Sequence, residues 1–323
     1  MKMYLLKLLY QILLTKIGEE PHSLHYTNLL KCKNILAKST GLWYLSQNNT
    51  LMVQQEDTTL SNWIDNLQSQ GKSAFSLETL QEELHNHTKI SLKRALSRLS
   101  QKKQILSIHR GYYLIIPAQY RLKGILPATL FLDGLMSNLG RPYYVGLLNA
   151  AAFHGASHQQ PQAFFVVTTL PALRPTLKKG LKINYISKTQ IPQKLIELRK
   201  METGYLKISN PILTATDLIH FEKRVGGMNR VATILNELTE VIQAKDFVEE
   251  LIHNIPVSAF QRLGYLIENT FENQTLADAI FDFLQQNNVK FYRIPLKASA
   301  SVKGFMSDER WKIIINTQIE IDE

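Results

Sequence analysis

Cysteine is nearly absent from this sequence: Cys32 is the single one in 323 residues. That excludes an intramolecular disulfide framework and a thiolate-rich zinc site, and it fits a reducing cytoplasm. No stretch reaches the roughly 18 uninterrupted apolar residues of a membrane-spanning helix, so no membrane partner is expected. Acid is missing from the middle of the chain. Between Leu84 and Ile196, sixteen Lys and Arg accompany one acid, Asp133, so this third carries +15 while the remainder nets −5. A solvated surface usually mixes signs, and the segregation favours a polyanion-binding face over chance clustering.

Familiar catalytic signatures are missing too. The sequence has no GxxxxGK[ST] or GxGxxG phosphate loop, no HExxH, no GxSxG and no kinase-type HRD or DFG run. The span from Gly134 to Ile196 has no acid to hold Mg2+, which weakens a metal-dependent nuclease. His154 and His158 stand at i and i+4, the spacing of two ligands on one helical face. Gly155 follows directly and no carboxylate lies nearby, so turn or core-edge histidines are favoured over zinc. No catalytic residue, metal or cofactor is expected.

What is present is a globular composition, 45% hydrophobic and 20% charged, with room for one large core or two to three domains. Residues 1–51 form an extension of uncertain status. Leu5, Leu6, Leu8, Leu9, Ile12, Leu13 and Leu14, interrupted by Lys7, suit an amphipathic helix better than a secretory signal, because no small-residue cleavage site follows. Met52 begins a more orderly segment, which leaves the extension as dispensable or as an upstream translation artefact.

Residues 52–120 read as a winged helix-turn-helix. Leu60, Trp63, Ile64 and Leu67 recur at helical spacing and end near Gly71. Ser76 can cap a second helix with Leu77, Leu80 and Leu84 inward, broken at His85-Asn86-His87. A third helix from about Ile90 turns Leu92, Ala95, Leu96 and Leu99 inward and basic and polar residues outward. Two short apolar runs, Ile105 to Ile108 and Tyr112 to Ile116, then flank His109-Arg110-Gly111 as a hairpin.

Three helices and a hairpin place a narrow helix for a major groove beside a tip that reaches a phosphate or minor groove. Lys93, Arg94, Ser97 and Arg98 are the candidates for base edges or groove wall, and Lys89, Lys102, Lys103, His109 and Arg110 for phosphates. A winged helix also serves as a protein-docking module, but docking would not need a run of bases with no acid from Leu84 to Leu132.

Residues 121–323 read as a larger mixed α/β domain, making the fold class α+β. Tyr143, Tyr144 and Val145 belong to core, and Phe164 to Thr168 is a buried strand bounded by Pro161 and Pro171. Lys178-Lys179-Gly180 is a turn before a strand from Leu181 to Ser187, its lysines either a solvated tip or a second DNA-backbone contact. Arg141, Arg174, Lys178, Lys179 and Lys182 are candidates for extending the positive surface. Beyond Lys188 the chain is expected to be helical: a helix opened by Thr214-Ala-Thr-Asp217 through Phe221, another from Met228 to about Ala244, and two or three between Phe247 and Gln286. Phe291 to Leu296 and Trp311 to Asn316 read as closing strands.

Several runs resemble the AbiEi family of type IV antitoxins. They are Arg94-Ala-Leu-Ser-Arg-Leu99, Arg110-Gly-Tyr-Tyr113, Tyr143-Tyr-Val-Gly-Leu-Leu148, Ala151-Ala-Phe-His-Gly155, Ser209-Asn-Pro211 with Thr214 and Asp217, Gly226-Gly227, and Gln261-Arg-Leu-Gly-Tyr-Leu266. Their order covers the chain from about Met52 to Asn316, and the extension before Met52 departs from the pattern. The resemblance implies a cytoplasmic bacterial antitoxin with an N-terminal winged helix and a C-terminal α/β domain. It also implies a nucleotidyltransferase toxin, neutralised without a stable complex, and repression of its own operon at inverted repeats in double-stranded DNA. The protein would be a monomer in solution or a dimer on DNA. Two alternatives stay open: an enzyme that inactivates the toxin covalently, for instance by phosphoryl transfer, and a direct toxin-binding protein.

Overall fold

A computed structural model describes residues 59–156 and 161–321. The proposed amphipathic helix at Met1 to Ile17 and the rest of the extension lie outside the described residues, as does His158. The described chain is mixed α+β.

It opens on helix α1 (Leu60–Ser69), whose N-cap Thr59 accepts from the Asn62 N–H, and whose four periodic apolar residues are all buried. A short strand, β1 (Ala74–Ser76), leads into α2 (Leu77–Glu83), capped by Ser76 with Leu80 fully buried. Helix α3 (Lys89–Gln101) follows, then the hairpin β2 (Ile105–His109) and β3 (Tyr112–Ile115). The three strands pair antiparallel in the order β1-β3-β2. Gly111 turns the hairpin at φ +75°, a conformation that costs it little for want of a Cβ. Trp63 meets Phe75 edge-on at 5.2 Å, and Phe75 stacks on Tyr113 at 5.4 Å, pinning α1 to the sheet.

The second sheet has six strands: β4 (Tyr143–Val145), β5 (Phe164–Thr169), β6 (Thr176–Lys178), β7 (Leu181–Lys188), β8 (Ile196–Met201) and β9 (Gly204–Ser209). Their order is β6-β7-β5-β4-β9-β8. The β4/β9 and β5/β7 pairs are parallel and the rest antiparallel. Helix α4 (Leu132–Asn138) precedes this sheet in sequence, and α5 (Leu147–Phe153) follows β4.

After the sheet come α6 (Pro211–His220), α7 (Glu222–Val225), α8 (Met228–Leu238), α9 (Glu250–Asn254), α10 (Val257–Asn269) and α11 (Gln274–Gln286). A two-residue parallel pair, β10 (Ile294–Pro295) with β11 (Ile313–Ile314), closes the fold.

Three expectations need correction. The chain beyond Lys188 is not helical at once: residues 196–209 form the β8–β9 hairpin. Its outer strand carries Glu197, Leu198, Arg199 and Lys200 exposed, so the alternation that marks a half-buried strand is masked at an edge. The next helix starts at Pro211, behind the N-cap Asn210 whose side chain accepts from the Leu213 N–H, rather than at Thr214. Helix α8 ends at Leu238 and tightens into a 3-10 turn, short of Ala244.

The cores explain how the parts are joined. One cluster, including Leu80, Leu92, Leu96 and Ile105, belongs to the helix–hairpin module alone. A second joins Ile108, Tyr112, Leu114 and Ile116 of the hairpin region to Leu132 and Met136 of α4 and to Val166 and Ile208 of the six-stranded sheet. The third lies among the later helices and the opposite side of the sheet, around Tyr144, Leu213 and Trp311. Everything from Thr59 onward belongs to one compact unit: the hairpin region buries Ile105 and Ile115 against its own helices, and Ile108, Tyr112, Leu114 and Ile116 against α4 and the six-stranded sheet. Among the described residues no helix is long and apolar enough to cross a membrane.

Candidate nucleic-acid interface

Helix α3 is amphipathic because Leu92, Leu96 and Leu99 fall on one face at spacings of four and three. Thr88 caps it, accepting from the Ser91 N–H at 3.2 Å. The opposite face presents Lys93, Arg94, Ser97 and Arg98, all exposed. Lys89 at its first turn, Lys102 at the C-cap and Lys103 just beyond are exposed too. At the hairpin tip Arg110 is exposed and His109 half-buried, its Nδ1 3.3 Å from the Arg110 carbonyl oxygen.

Among the described residues none of these cations is paired with an acid. Seven Lys and Arg from Lys89 to Arg110 thus stand with no acid between them, while the module's acids, Asp65, Glu78, Glu82 and Glu83, lie on α1 and α2. Such a surface holds a positive potential that attracts a polyanion, and its strength falls with salt.

The second hairpin adds to it. Strand β6 lies against β2, so the edge of the large sheet borders the edge of the small one. The β6–β7 turn is made by Lys179 and Gly180, at φ 47° and 83°. Arg174, Lys178, Lys179 and Lys182 are exposed there. Arg141 is placed differently: its guanidinium donates to the carbonyl oxygens of Thr169, at 3.0 Å, and Pro171. It braces the turn after β5, with Nη1 held by these carbonyl oxygens.

A second group of polar residues is buried. Asp217, in the middle of α6, accepts from the Tyr144 hydroxyl at 2.5 Å and from Lys188 Nζ at 2.6 Å. The Asp217 side chain is 2% exposed and that of Lys188 12%. Burial, then the Asp217 carboxylate, hold the Tyr144 phenol well above its ordinary range. Beside it, Ser209 and Thr214 hydroxyls lie 2.6 Å apart and His154 Nε2 sits 2.7 Å from the Ser209 carbonyl oxygen.

Sequence reasoning missed this cluster, taking Tyr144 for plain core and Asp217 for a helix opener. The available signal was a lone acid in the otherwise uncharged run Pro211 to Ile219, since a buried carboxylate needs partners. Both carboxylate oxygens are engaged, so the trio is a brace between β4, β7 and α6. Among the described residues no group of three or more His, Cys, Asp or Glu is arranged to hold a metal.

Three of the runs that carried the resemblance contribute here: Tyr144 and Asp217 to the brace, and His154, Ser209 and Thr214 to the hydrogen bonds beside it. A model of the AbiEi antitoxin C-terminal domain matches residues 144–269, which contain all of them. No curated protein matches the chain. Among solved structures, the crystal structure of the RV2827C protein from Mycobacterium tuberculosis is similar. The likeness covers 79% of this chain and 90% of that one, at 16% identity and a TM-score of 0.56, and speaks to the fold.

Proposed function

We propose, from the match of residues 144–269 to the AbiEi antitoxin C-terminal domain, that the protein is the antitoxin of a type IV toxin–antitoxin system that also represses its own operon. The helix–hairpin module is read as a winged helix. Helix α3 enters the major groove, the β2–β3 tip rests on the backbone, and Lys178, Lys179 and Lys182 extend the grip along the duplex. The toxin is a nucleotidyltransferase, counteracted without a stable complex, and the operator is an inverted repeat.

One observation carries the DNA-binding half: the outward face of α3 is cationic, exposed and free of acidic partners among the described residues. A protein-docking face would be expected to mix charge signs, whereas this one presents a single sign around the exposed Ile90.

The test is fluorescence anisotropy on the protein's own promoter fragment across a salt series. Neutralising about six phosphates predicts a log–log slope near −5. An affinity that hardly changes with salt would refute the reading. Arg94→Ala with Arg98→Ala should relax sequence preference, whereas Lys102→Ala should weaken all duplexes about equally. For the toxin, incubation with this protein and ATP should leave the intact mass unchanged, and an added phosphate would turn the proposal toward covalent inactivation.

A further inference from the structure

Strand β8 is the outer strand of the six-stranded sheet, and its burial pattern is that of an edge open to solvent, with residues 197–200 all exposed. Its backbone has a definite orientation. The Asn210 N–H donates to the Leu195 carbonyl at 2.9 Å, and Leu195 and Asn210 continue the ladder that pairs Ile196 with Ser209. Antiparallel partners alternate between hydrogen-bonded and non-bonded pairs. The bonded pairs are therefore Glu197 with Ile208 and Arg199 with Leu206. Leu198 and its neighbours two residues away turn their N–H and C=O outward, unpaired by any strand among the described residues.

The side chains on this edge are unusual for a solvated strand. Leu198 is 65% exposed and Tyr205 59%. They are diagonal neighbours on one face, because Leu198 pairs with Lys207 and Tyr205 with Lys200. The run Glu197-Leu198-Arg199 is also self-complementary when reversed. An antiparallel copy centred on Leu198 sets Leu198 against Leu198, Glu197 against Arg199, and Arg199 against Glu197. The central pair would exchange both outward hydrogen bonds. The flanking charge pairs would then be of the non-bonded kind, where side chains approach most closely.

We propose that β8 is a homodimer interface, through which two copies of this chain join their six-stranded sheets across a two-fold axis at Leu198. Charge selects the partner. A strand of another protein would have to offer a base, an apolar residue and an acid in this register, whereas a second copy supplies them by symmetry. The dimer needs no DNA, and it stands whether or not the α3 surface binds a duplex.

The experiment is sedimentation equilibrium of the full chain, without DNA, over a range of protomer concentrations. The wild type should show a monomer–dimer equilibrium. Glu197→Arg alone, or Arg199→Glu alone, converts two opposite-charge pairs into two like-charge pairs and should raise the dimer Kd at least about tenfold. The double variant Glu197→Arg with Arg199→Glu should restore it. Leu198→Pro removes the outward N–H without taking a bond from β9, and should abolish the dimer while far-UV circular dichroism stays that of the wild type. A wild type that is monomeric at every concentration overturns the proposal. So does a dimer that the single charge reversals leave unchanged, or one that the double reversal fails to restore.

Discussion

Asp217 shows what a single misplaced charge costs in this core. It is the only acid in α6, and its oxygens are satisfied by Lys188 and Tyr144 from two different strands, 29 and 73 residues away in sequence. Lys188→Ala leaves the carboxylate buried with only the phenol, which should cost about 3–5 kcal/mol in urea denaturation. Adding Asp217→Asn should recover much of that loss, because the amide oxygen still accepts from Tyr144 and no charge is stranded. Nothing in local sequence could have joined these three residues, since periodicity reports a face and not a partner.

Tyr112 poses a different residue-scale test. Its phenol, pushed up to about 12 by burial and then by the Asp133 carboxylate, lies where a Cβ on Gly134 would come within 2.6 Å of the hydroxyl. Gly134→Ala should therefore destabilise despite alanine's better helix propensity, and Tyr112→Phe should relieve it in the double variant. The raised value also fixes a pH dependence. The unfolded phenol ionises near 10 while the folded one does not, so stability is full below about pH 10 and is lost as pH rises toward 12. For Tyr112 that loss is roughly 2–3 kcal/mol, and Tyr112→Phe should show a correspondingly shallower fall in urea titrations across this range. Tyr143 and Tyr144, also raised, contribute to the remaining slope.

At the scale of elements, legibility followed burial pattern. Helices α1, α2 and α3 were readable because each shows a clean apolar stripe and each follows a capping Thr or Ser. The β8–β9 hairpin was not, because an edge strand exposes both faces and Leu198 breaks the expected polar side. Thr88→Ala removes the cap of α3 and should cost about 1 kcal/mol, fraying the end that carries Lys89 and Lys93. DNA affinity should fall with it, which separates the cap from a surface Ser100→Ala control that leaves both unchanged. In α10, a Cβ on Gly264 would come 2.1 Å from the ring of Trp311, which is fully buried and packed on Phe281 and Phe291. Gly264→Ala should destabilise by at least about 1–3 kcal/mol, because neither the helix backbone nor the indole can move aside. A thermal melt read by tryptophan fluorescence would record it.

On the whole-molecule scale, the helix–hairpin pattern sets a boundary near residue 120, and periodicity could not show that one core crosses it. Ile108, Tyr112, Leu114 and Ile116 are buried against α4 and the six-stranded sheet rather than within their own module. Ser73 strengthens the join by donating its hydroxyl to the Leu130 carbonyl at 2.7 Å. A module that takes part of its apolar contacts from a neighbour has no independent transition. The cationic helix α3 and the sheet should therefore unfold together. Val166→Ala, a cavity in the sheet on the far side of that shared core from α3, is expected to cost about 0.5–2 kcal/mol, as deleting buried methyl groups does. In native-state hydrogen exchange the amides of Leu92, Leu96 and Leu99 should lose protection by the same amount as those of Val166 and Ile208, provided they exchange by global opening. If the α3 amides kept their wild-type protection while the sheet lost its own, the shared core would be energetically divisible, and the grip on DNA would be independent of the domain that follows it.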